Sequence, residues 1–361
     1  MTIHPSIMIS GSTILGGLGR SLKKGFENIG WLVYEFDDQK IFAEQSRWAA
    51  NKYIYRVFWP QLAKAVQERL ISEIARLKPA ILLILKGFYY SPEAIARIKR
   101  LNPAPVLMHF NPDNSFNTWH FGNSNQWIRD SIPLYDIHLT WGEFLIPKLR
   151  SAGAKKAFHL PFACDPDLHY PVDLTEADLA EYGADVAFVG SWDKEREWWL
   201  SHILDYQLTI WGNGWQKAAK SIQEKWKKKE VIGDVFSKVS CASKINLNFI
   251  RKQNIPAHNM RTFEIPACSG FMLSTRTIEQ NKIWSEGEEI GCFSNPQELR
   301  TMLDQYLRDN QLRSVMANRA HNICYQKNSY TIRARQVDFI VDKSFQSTLI
   351  DNKEIYFVIQ K

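Results

Sequence analysis

The sequence has few features that would tie the chain to a membrane or to a disulfide framework. Its five cysteines are an odd number and include no C-x-x-C pair, which predicts reduced thiols and a cytoplasmic location. Its longest apolar run, which includes residues 81–85, is far shorter than the roughly 20 residues that cross a bilayer. Residues 1–10 lack the basic and apolar stretches of a signal peptide, so none is expected.

Several common catalytic motifs are also missing. The sequence contains no G-x-S-x-G, P-loop or G-x-G-x-x-G pattern, and its histidines show no H-x-x-x-H spacing. One D-x-D motif, Asp165-Pro-Asp167, lies in a proline-rich stretch that reads as a linker. We therefore expect neither a bound metal ion nor a cofactor.

Length and net charge limit the number of domains and the classes of partner. A chain of 361 residues, 45% of them hydrophobic, is too long for one compact core and suits two domains. A formal net charge of +7 favours an anionic partner such as a nucleotide, an acidic glycan or a membrane surface. The most basic run, residues 225–229, reads as a solvated helix face, so no nucleic-acid partner is expected.

Short apolar runs alternate with helical stretches along the chain, which predicts parallel sheets with helices on both faces. The alternation stops at Pro161, Pro166 and Pro171 and restarts near residue 185. We therefore predict an α/β chain of two Rossmann-like, doubly wound parallel-sheet domains facing across a cleft. Their predicted bounds are residues 1–170 and 171–335, with residues 336–361 crossing back to the first domain.

Two strand–turn–helix segments suit a ligand. Gly16 and Gly17 lie in a glycine-rich turn after the first strand, where bare amides can bind an anion or line a cleft, or form a tight turn without a ligand. In the second half, Gly190 and Ser191 follow a strand and precede a helix that carries Arg196. A hydroxyl and a guanidinium there suit an anion, although Ser191 could instead cap the helix.

The most informative segment runs from Asn259 to Phe271. Its Glu264 falls in the first turn of a predicted helix, where a carboxylate is electrostatically favourable. A carboxylate can also accept two hydrogen bonds from the diol of a ribose. Small residues that follow, among them Gly270, would let a nucleotide approach the backbone.

At these residues the chain resembles the CgeB-like (spore-maturation-protein-like) branch of the GT-B glycosyltransferases, in the group 1/family 4-like set. The resemblance covers most of the chain and rests on an ordered set of motifs. In the first half these are Phe110-Asn-Pro-Asp-Asn114 and Leu160-Pro-Phe-Ala-Cys-Asp-Pro166; in the second they are Phe188-Val-Gly-Ser-Trp192, Leu208-Thr-Ile-Trp-Gly-Asn-Gly-Trp215, Ser243-Lys-Ile-Asn-Leu-Asn248, Arg261-Thr-Phe-Glu-Ile-Pro-Ala-Cys268 and Tyr330-Thr-Ile-Arg-Ala-Arg335.

The resemblance implies a GT-B glycosyltransferase that needs no metal and moves a sugar from a nucleoside-diphosphate sugar to an acceptor of unspecified class: glycan, protein or small molecule. The donor would bind the second domain and the acceptor the first. By position, the matching donor residues are Glu264 for the ribose, Ser191 and Arg196 for the diphosphate, Trp211 and Gly212 for the base, with Lys244 and Arg261 nearby.

One family position departs from the pattern. Relatives often carry a second glutamate eight positions upstream of the first, where this chain has Pro256. The resemblance therefore implies that this acid's role in sugar recognition is absent, or is filled by His258 or Asn259.

An inverting reaction would need a base at the acceptor hydroxyl. We expect Asp113 in this role, with His109 second, although an aspartate in N-P-D-N equally suits a turn. Two rival functions stay open: a nucleotide-sugar epimerase, and a non-catalytic binding or scaffold protein of the same fold.

Overall fold

The computed structural model describes residues 5–46, 52–117 and 124–346 and divides the chain into two compact units. Unit 1 comprises the described residues up to Pro161 together with those from Tyr330 onward, and unit 2 comprises Phe162–Ser329. Each unit is built on one fully parallel sheet, which confirms the predicted pair of parallel-sheet α/β domains. In this described part, no helix is both long and apolar enough to cross a membrane.

The unit 1 sheet has six strands in the order β2-β1-β3-β4-β5-β6. Its strands are β1 Ser6–Ser10, β2 Leu32–Phe36, β3 Ile81–Leu85, β4 Val106–Phe110, β5 Ile137–Thr140 and β6 Ala157–His159. Its helices are α1 Leu18–Asn28, α2 Asp38–Gln45, α3 Lys52–Leu77, α4 Pro92–Ile98, α5 Gln126–Asp130, α6 Leu145–Ser151 and, at the end of the chain, α15 Tyr330–Gln346.

Strand β3 occupies the interior of this sheet because all five of its residues are apolar, and all five are buried. A parallel strand covered on both faces requires such a continuous apolar run. Strand β1 has β2 on one side and β3 on the other, so the order of the strands reverses at β1. Ligands of open parallel sheets bind at such a reversal, beyond the carboxyl ends of the strands.

The unit 2 sheet has five strands in the order β11-β10-β9-β7-β8. Its strands are β7 Ala184–Val189, β8 Leu208–Trp211, β9 Ser243–Asn248, β10 Met272–Thr275 and β11 Gly291–Phe293. Its helices are α7 Glu176–Tyr182, α8 Lys194–Ser201, α9 Lys220–Gln223, α10 Asp234–Ala242, α11 Arg261–Ala267, α12 Gln280–Ile283, α13 Pro296–Arg308 and α14 Asn310–Lys327. The reversal of strand order falls at β7, which lies between β8 and β9.

The division of the chain differs from the predicted bounds at both ends of unit 2. The first crossing comes at residue 162 instead of 171, and the return comes at Tyr330 instead of residue 336. Helix α15 belongs to unit 1 because it packs against α1: a side chain at Gly25 would lie 2.4 Å from the Tyr330 carbonyl oxygen, and Asn28 donates to Thr331 at 3.0 Å. Residues 347–361 of the predicted returning segment lie outside the described residues.

The predicted linker also contains a helix. Helix α7 begins at a capping box, in which the Thr175 side chain accepts from the Asp178 N–H while the Asp178 carboxylate accepts from Thr175. The acidic composition of this stretch therefore marks the first turn of a helix as well as a connection.

Candidate functional site

The strand-order reversal of unit 2 is surrounded by the loops that follow β7, β8 and β9. Two of these loops approach so closely that only glycine fits. Gly212 has a φ of +119°, and a Cβ there would lie 2.4 Å from the carbonyl oxygen of Gly190. That oxygen also accepts from the indole N–H of Trp215 at 2.9 Å. The predicted residues Gly190 and Gly212 are thus brought together, and they leave bare backbone at the carboxyl edge of the sheet.

Helix α8 starts beside these glycines, and its cap is not Ser191. The Asp193 side chain accepts from the Arg196 N–H at 2.9 Å and fills the capping role. Ser191 is exposed, and its carbonyl oxygen accepts from Arg196 Nη1 at 2.7 Å. The Ser191 hydroxyl is therefore not needed to begin the helix.

Three arginines converge on this edge. Burial lowers the pKa of Arg196 to about 10, and the neighbouring cations Arg251 and Arg261 contribute to that shift. Arg251 donates from Nε to Asp193 at 2.8 Å. Arg196 stays protonated at neutral pH despite this environment. Asp193 and Glu195 offset part of the repulsion on Arg196, and an anionic ligand would offset more of it.

Glu264 lies in the first turn of α11, as predicted, and is only 3% exposed. Burial alone would raise its pKa, but Arg261 and His169 outweigh that effect and hold the pKa of this carboxyl below its usual value. Arg261 donates to one carboxylate oxygen, and His169 Nε2 lies 3.8 Å from the other. The structure therefore keeps the ionised carboxylate of Glu264 in a position that is almost completely shielded from solvent.

The guanidinium of Arg261 lies between the carboxylate and the sheet edge. Its Nε donates to the Val189 carbonyl at 3.3 Å, and its Cζ lies 4.6 Å from the centre of the Phe236 ring. Its side chain is still 32% exposed. Arg261 thus joins the end of β7 to α11 while it stays accessible to a ligand.

The loop before α11 is fixed by His258 and Asn259. His258 is fully buried, and its Nε2 accepts from the Phe162 N–H at 3.3 Å. Asn259 donates to the Asn248 side chain at 2.8 Å, and its Oδ1 accepts from the Thr262 N–H at 3.2 Å. Both predicted residues hold the loop in place, and in this arrangement neither side chain is presented to a ligand.

Two predicted donor residues lie away from this cluster. Lys244 is at the amino end of β9 and forms an ion pair with Asp185, at the amino end of β7, with Nζ and Oδ1 2.7 Å apart. At about 3.3 Å per residue, Lys244 lies roughly 13 Å from the carboxyl end of its strand. Trp211 is only 2% exposed and packs against Tyr182, so its ring is part of the core and offers no face to a base.

The glycine-rich turn predicted at Gly16 and Gly17 belongs to unit 1. Gly16 has a φ of +78°, and Gly17 precedes the first turn of α1 without a side-chain cap. The turn is tied down by Thr13, which donates to Asp37 at 2.7 Å, and it leaves Ile14 66% exposed. Its amides lie at the carboxyl end of β1, beside the strand-order reversal of unit 1.

Asp113 lies at the carboxyl edge of the unit 1 sheet, three residues after the end of β4. The turn that holds it is built by other side chains: Asn111 Oδ1 accepts from the Asp113 N–H at 3.0 Å, and Asn114 Oδ1 accepts from the Phe116 N–H at 3.0 Å. The Asp113 carboxylate instead meets the Lys86 ammonium at 3.0 Å, and each of these side chains is 30% exposed.

His109 is 2% exposed and faces the interior of unit 1. Its Nε2–H donates to the Lys86 carbonyl at 3.1 Å, and its Nδ1 lies 3.3 Å from Nδ1 of His138. Burial, together with the neighbouring His138, lowers the pKa of His109 to about 3. Both ring nitrogens are engaged and the ring is buried, and these surroundings favour a structural role for His109.

Sequence reasoning missed Arg251, His169, Phe236 and Lys86. Arg251 and Lys86 each lie just beyond the carboxyl end of a strand, which is a signal that the sequence offered. His169 and Phe236 come from distant segments, and only the fold brings them to Glu264 and Arg261. Across residues 5–46, 52–117 and 124–346, no group of three His, Cys, Asp or Glu side chains could hold a metal ion.

A family model described as "Glycosyl transferase-like" matches residues 194–338, which contain the arginines and Glu264. No curated protein matches the sequence. Solved structures do match along nearly the whole chain. Sucrose-phosphate synthase from Thermosynechococcus elongatus superposes with a TM-score of 0.66 at 12% identity, covering 95% of this chain and 99% of that one.

Two further structures are similar in fold. HepE (Alr3699) from Anabaena, crystallised with UDP and glucose, has a TM-score of 0.64 at 12% identity and covers 94% of this chain and 100% of its own. A structure from Listeria monocytogenes assigned to the UDP-N-acetylglucosamine 2-epimerases has a TM-score of 0.56 at 12% identity, covering 96% and 98%. With two parallel-sheet α/β units and these likenesses along its length, the chain has the GT-B glycosyltransferase fold.

Proposed function

We propose that this protein is a glycosyltransferase of the CgeB-like branch that takes a sugar from a nucleoside-diphosphate sugar bound to unit 2. The observation that carries the proposal is the convergence of Arg196, Arg251 and Arg261 with the buried carboxylate of Glu264 beside the Gly190–Gly212 contact. A nucleoside diphosphate presents both an anion and a diol, which are the two groups that this cluster matches.

In this proposal the arginines neutralise the diphosphate, and they stabilise the negative charge that grows on it as the bond to the sugar breaks. Glu264 accepts from the ribose hydroxyls. Because Arg261 donates to one carboxylate oxygen, we expect this guanidinium to turn from the carboxylate toward the phosphate when the donor binds. No divalent metal is needed, since the positive charge comes from side chains.

The acceptor and its base are assigned to unit 1. Asp113 is the proposed base because its carboxylate forms none of the hydrogen bonds observed in its turn and is partly exposed. An acceptor hydroxyl would lose its proton to this carboxylate while its oxygen attacks the anomeric carbon. His109 is not proposed as an alternative base, because its ring is buried and engaged.

The test of the donor site is UDP binding by titration calorimetry to the wild type and to Glu264→Gln. The substitution keeps the shape and removes the charged acceptor, so affinity should fall by about 1.5–3 kcal/mol. Glu298→Gln is a matched control, because Glu298 is also bonded to an arginine, Arg276, but lies elsewhere in unit 2. Equal UDP affinity in the folded Glu264→Gln variant would contradict the ribose assignment.

The epimerase rival is supported by the similarity in fold to the Listeria structure. It predicts that the donor sugar is converted without any acceptor, so analysis of the sugar product separates the two functions. The scaffold rival is supported by Pro256 at the place of the second family glutamate, and it predicts that UDP binds but the donor is never turned over.

A further inference from the structure

Strand β3 ends in a turn that is strained for the residue it contains. Lys86 has a φ of +64°, and across it the N–H of Gly87 donates to the Leu85 carbonyl at 2.7 Å. This three-residue ring is a γ-turn with a positive φ at its central residue, a form that is rare and strained for any residue with a side chain. Glycine adopts it without that cost.

The surrounding residues force the lysine into this conformation. The Lys86 N–H donates to the Phe110 carbonyl at 2.9 Å, and its own carbonyl accepts from His109 at 3.1 Å. The His109 ring is in turn stacked on Tyr135 at 4.8 Å. The two hydrogen bonds hold the Lys86 backbone, and a glycine could form both of them. They explain the turn, but they leave the presence of a lysine side chain unexplained.

The side chain points to a place where ligands of such sheets bind. Lys86 directly follows β3, which flanks the strand-order reversal of unit 1. Its ammonium is held on the Asp113 carboxylate at 3.0 Å, and both groups are partly exposed. Strained residues persist at functional positions when the environment over-determines them, as it does here.

The charges at this edge limit what can bind there. Within three residues after each strand of the unit 1 sheet, all of them described, Lys86 is the one lysine or arginine. The same positions carry three acidic residues that are partly exposed, namely Asp37, Asp113 and Glu143, while a fourth, Asp38, is buried. A phosphate or carboxylate ligand would be repelled by the negative charge of this edge. A neutral polyol would not be repelled, and each of its hydroxyls can both accept from an ammonium and donate to a carboxylate.

We propose that Lys86 and Asp113 together bind the hydroxyl groups of a neutral polyhydroxyl acceptor, and that the strained turn is retained to hold the Lys86 ammonium there. The inference rests on the proposed glycosyl transfer and names its acceptor class. The acceptor oxygen bonds to the anomeric carbon, whose bond to the diphosphate breaks with its electron pair. The hydroxyl proton passes to Asp113 while Lys86 donates a hydrogen bond to the acceptor.

Thermal unfolding of two variants tests the strain. Lys86→Gly relieves the backbone strain of the positive φ. Lys78→Gly is a matched control, because Lys78 lies near the opposite end of β3 and also has a positive φ, +47°. Each variant should unfold about 2–4 °C above the wild type. Lys86→Gly is therefore expected to remain folded, so that a loss of turnover cannot be attributed to misfolding.

Measurement of turnover tests the proposed role of Lys86 in acceptor binding. UDP release from UDP-glucose is measured with neutral sugars (glucose, maltose, sucrose) and with glucose 6-phosphate and glucuronate. Neutral sugars should accelerate release by the wild type and by Lys78→Gly. The more stable Lys86→Gly should lose this acceleration at least tenfold, and its UDP affinity in calorimetry should match the wild type, because UDP is assigned to unit 2.

Wild-type turnover in Lys86→Gly would show that the turn is only structural. Acceleration by the anionic sugars in preference to the neutral ones, or no acceleration by any neutral sugar, would overturn the acceptor class and leave the transferase intact. Failure of the wild type to bind UDP at all would instead contradict the proposed function, so the two proposals fail by different measurements.

Discussion

Asp113 shows how the structure separates a turn former from a reacting group. The two hydrogen bonds observed in its turn use the side chains of Asn111 and Asn114, so Asp113→Asn should leave the turn intact. If Asp113 is the base, turnover should fall by about 10²–10⁴. UDP affinity should hardly change. The measurement is steady-state turnover and calorimetry on the same variant, and an unchanged rate would remove Asp113 from the mechanism.

Asp38 is a second carboxyl in unit 1 whose surroundings make a prediction. Burial, together with neighbouring Asp37, raises its pKa from 3.8 to about 7, and Tyr90 and Ser10 donate to it. Between those two values the folded state holds a proton that the unfolded state has lost. The free energy of unfolding should therefore decrease as the pH rises from about 4 to 7, by up to about 4 kcal/mol.

Denaturant unfolding across this pH range checks the effect. Asp38→Asn keeps a neutral side chain of the same shape, so its free energy of unfolding should lack this slope and exceed that of the wild type at pH 8. An equally steep slope in both proteins would show that Asp38 does not cause it.

At the scale of elements, the close approach of the loops after β7 and β8 depends on glycine. In Gly212→Ala the new Cβ would lie 2.4 Å from the Gly190 carbonyl oxygen, so the two loops must separate. Both stability and UDP affinity should fall. Gly287→Ala is the control, because Gly287 also has a positive φ, +82°, but no atom lies within 4 Å of the added Cβ.

The control should lose about 1 kcal/mol of stability from backbone strain alone and should keep its UDP affinity. Chemical denaturation and calorimetry on the two variants measure both quantities. Equal behaviour of the two alanine variants would indicate that the Gly190–Gly212 contact has no part in binding.

The elements themselves were largely predictable, because short apolar strands and helix signals are local properties of the sequence. The alternation predicted two parallel sheets, and the position of Glu264 in the first turn of α11 followed from the helix start. Strand β11 was missed, since its three residues make no recognisable apolar run. Helix α7 was read as linker because its apolar content is low.

Less of the site was predictable, because side-chain direction and strand ends depend on packing. Trp211 closes a strand whose four residues are all buried, so the ring faces the core. Lys244 was placed near the nucleotide by motif order, but it stands at the amino end of its strand, opposite the glycines. Lys86 gave no signal of its φ, which results from contacts with β4.

For the whole molecule, the proposed chemistry relies on side-chain charge. We expect UDP-sugar turnover to be unchanged by a chelator such as EDTA, because Arg196, Arg251 and Arg261 are proposed to neutralise the diphosphate. The assay is UDP release before and after chelation, with Arg251→Gln as the variant that should lower the rate. Complete loss of activity on chelation, restored by Mg²⁺ or Mn²⁺, would contradict this expectation. The cytoplasmic location and any contact with membranes or acidic glycans stay predictions.

The return of α15 to unit 1 has a consequence for the order in which the two units fold. Unit 2 is one uninterrupted stretch, so a ribosome completes it while unit 1 still lacks α15. Until then, the surface of α1 around Gly25, which α15 covers, has no partner. Translation of unit 1 thus begins first, but unit 1 is the last to complete its folding, which reverses the usual amino-to-carboxyl order. A released chain truncated after Ser329 should therefore resist proteolysis in unit 2 while unit 1 is still cleaved.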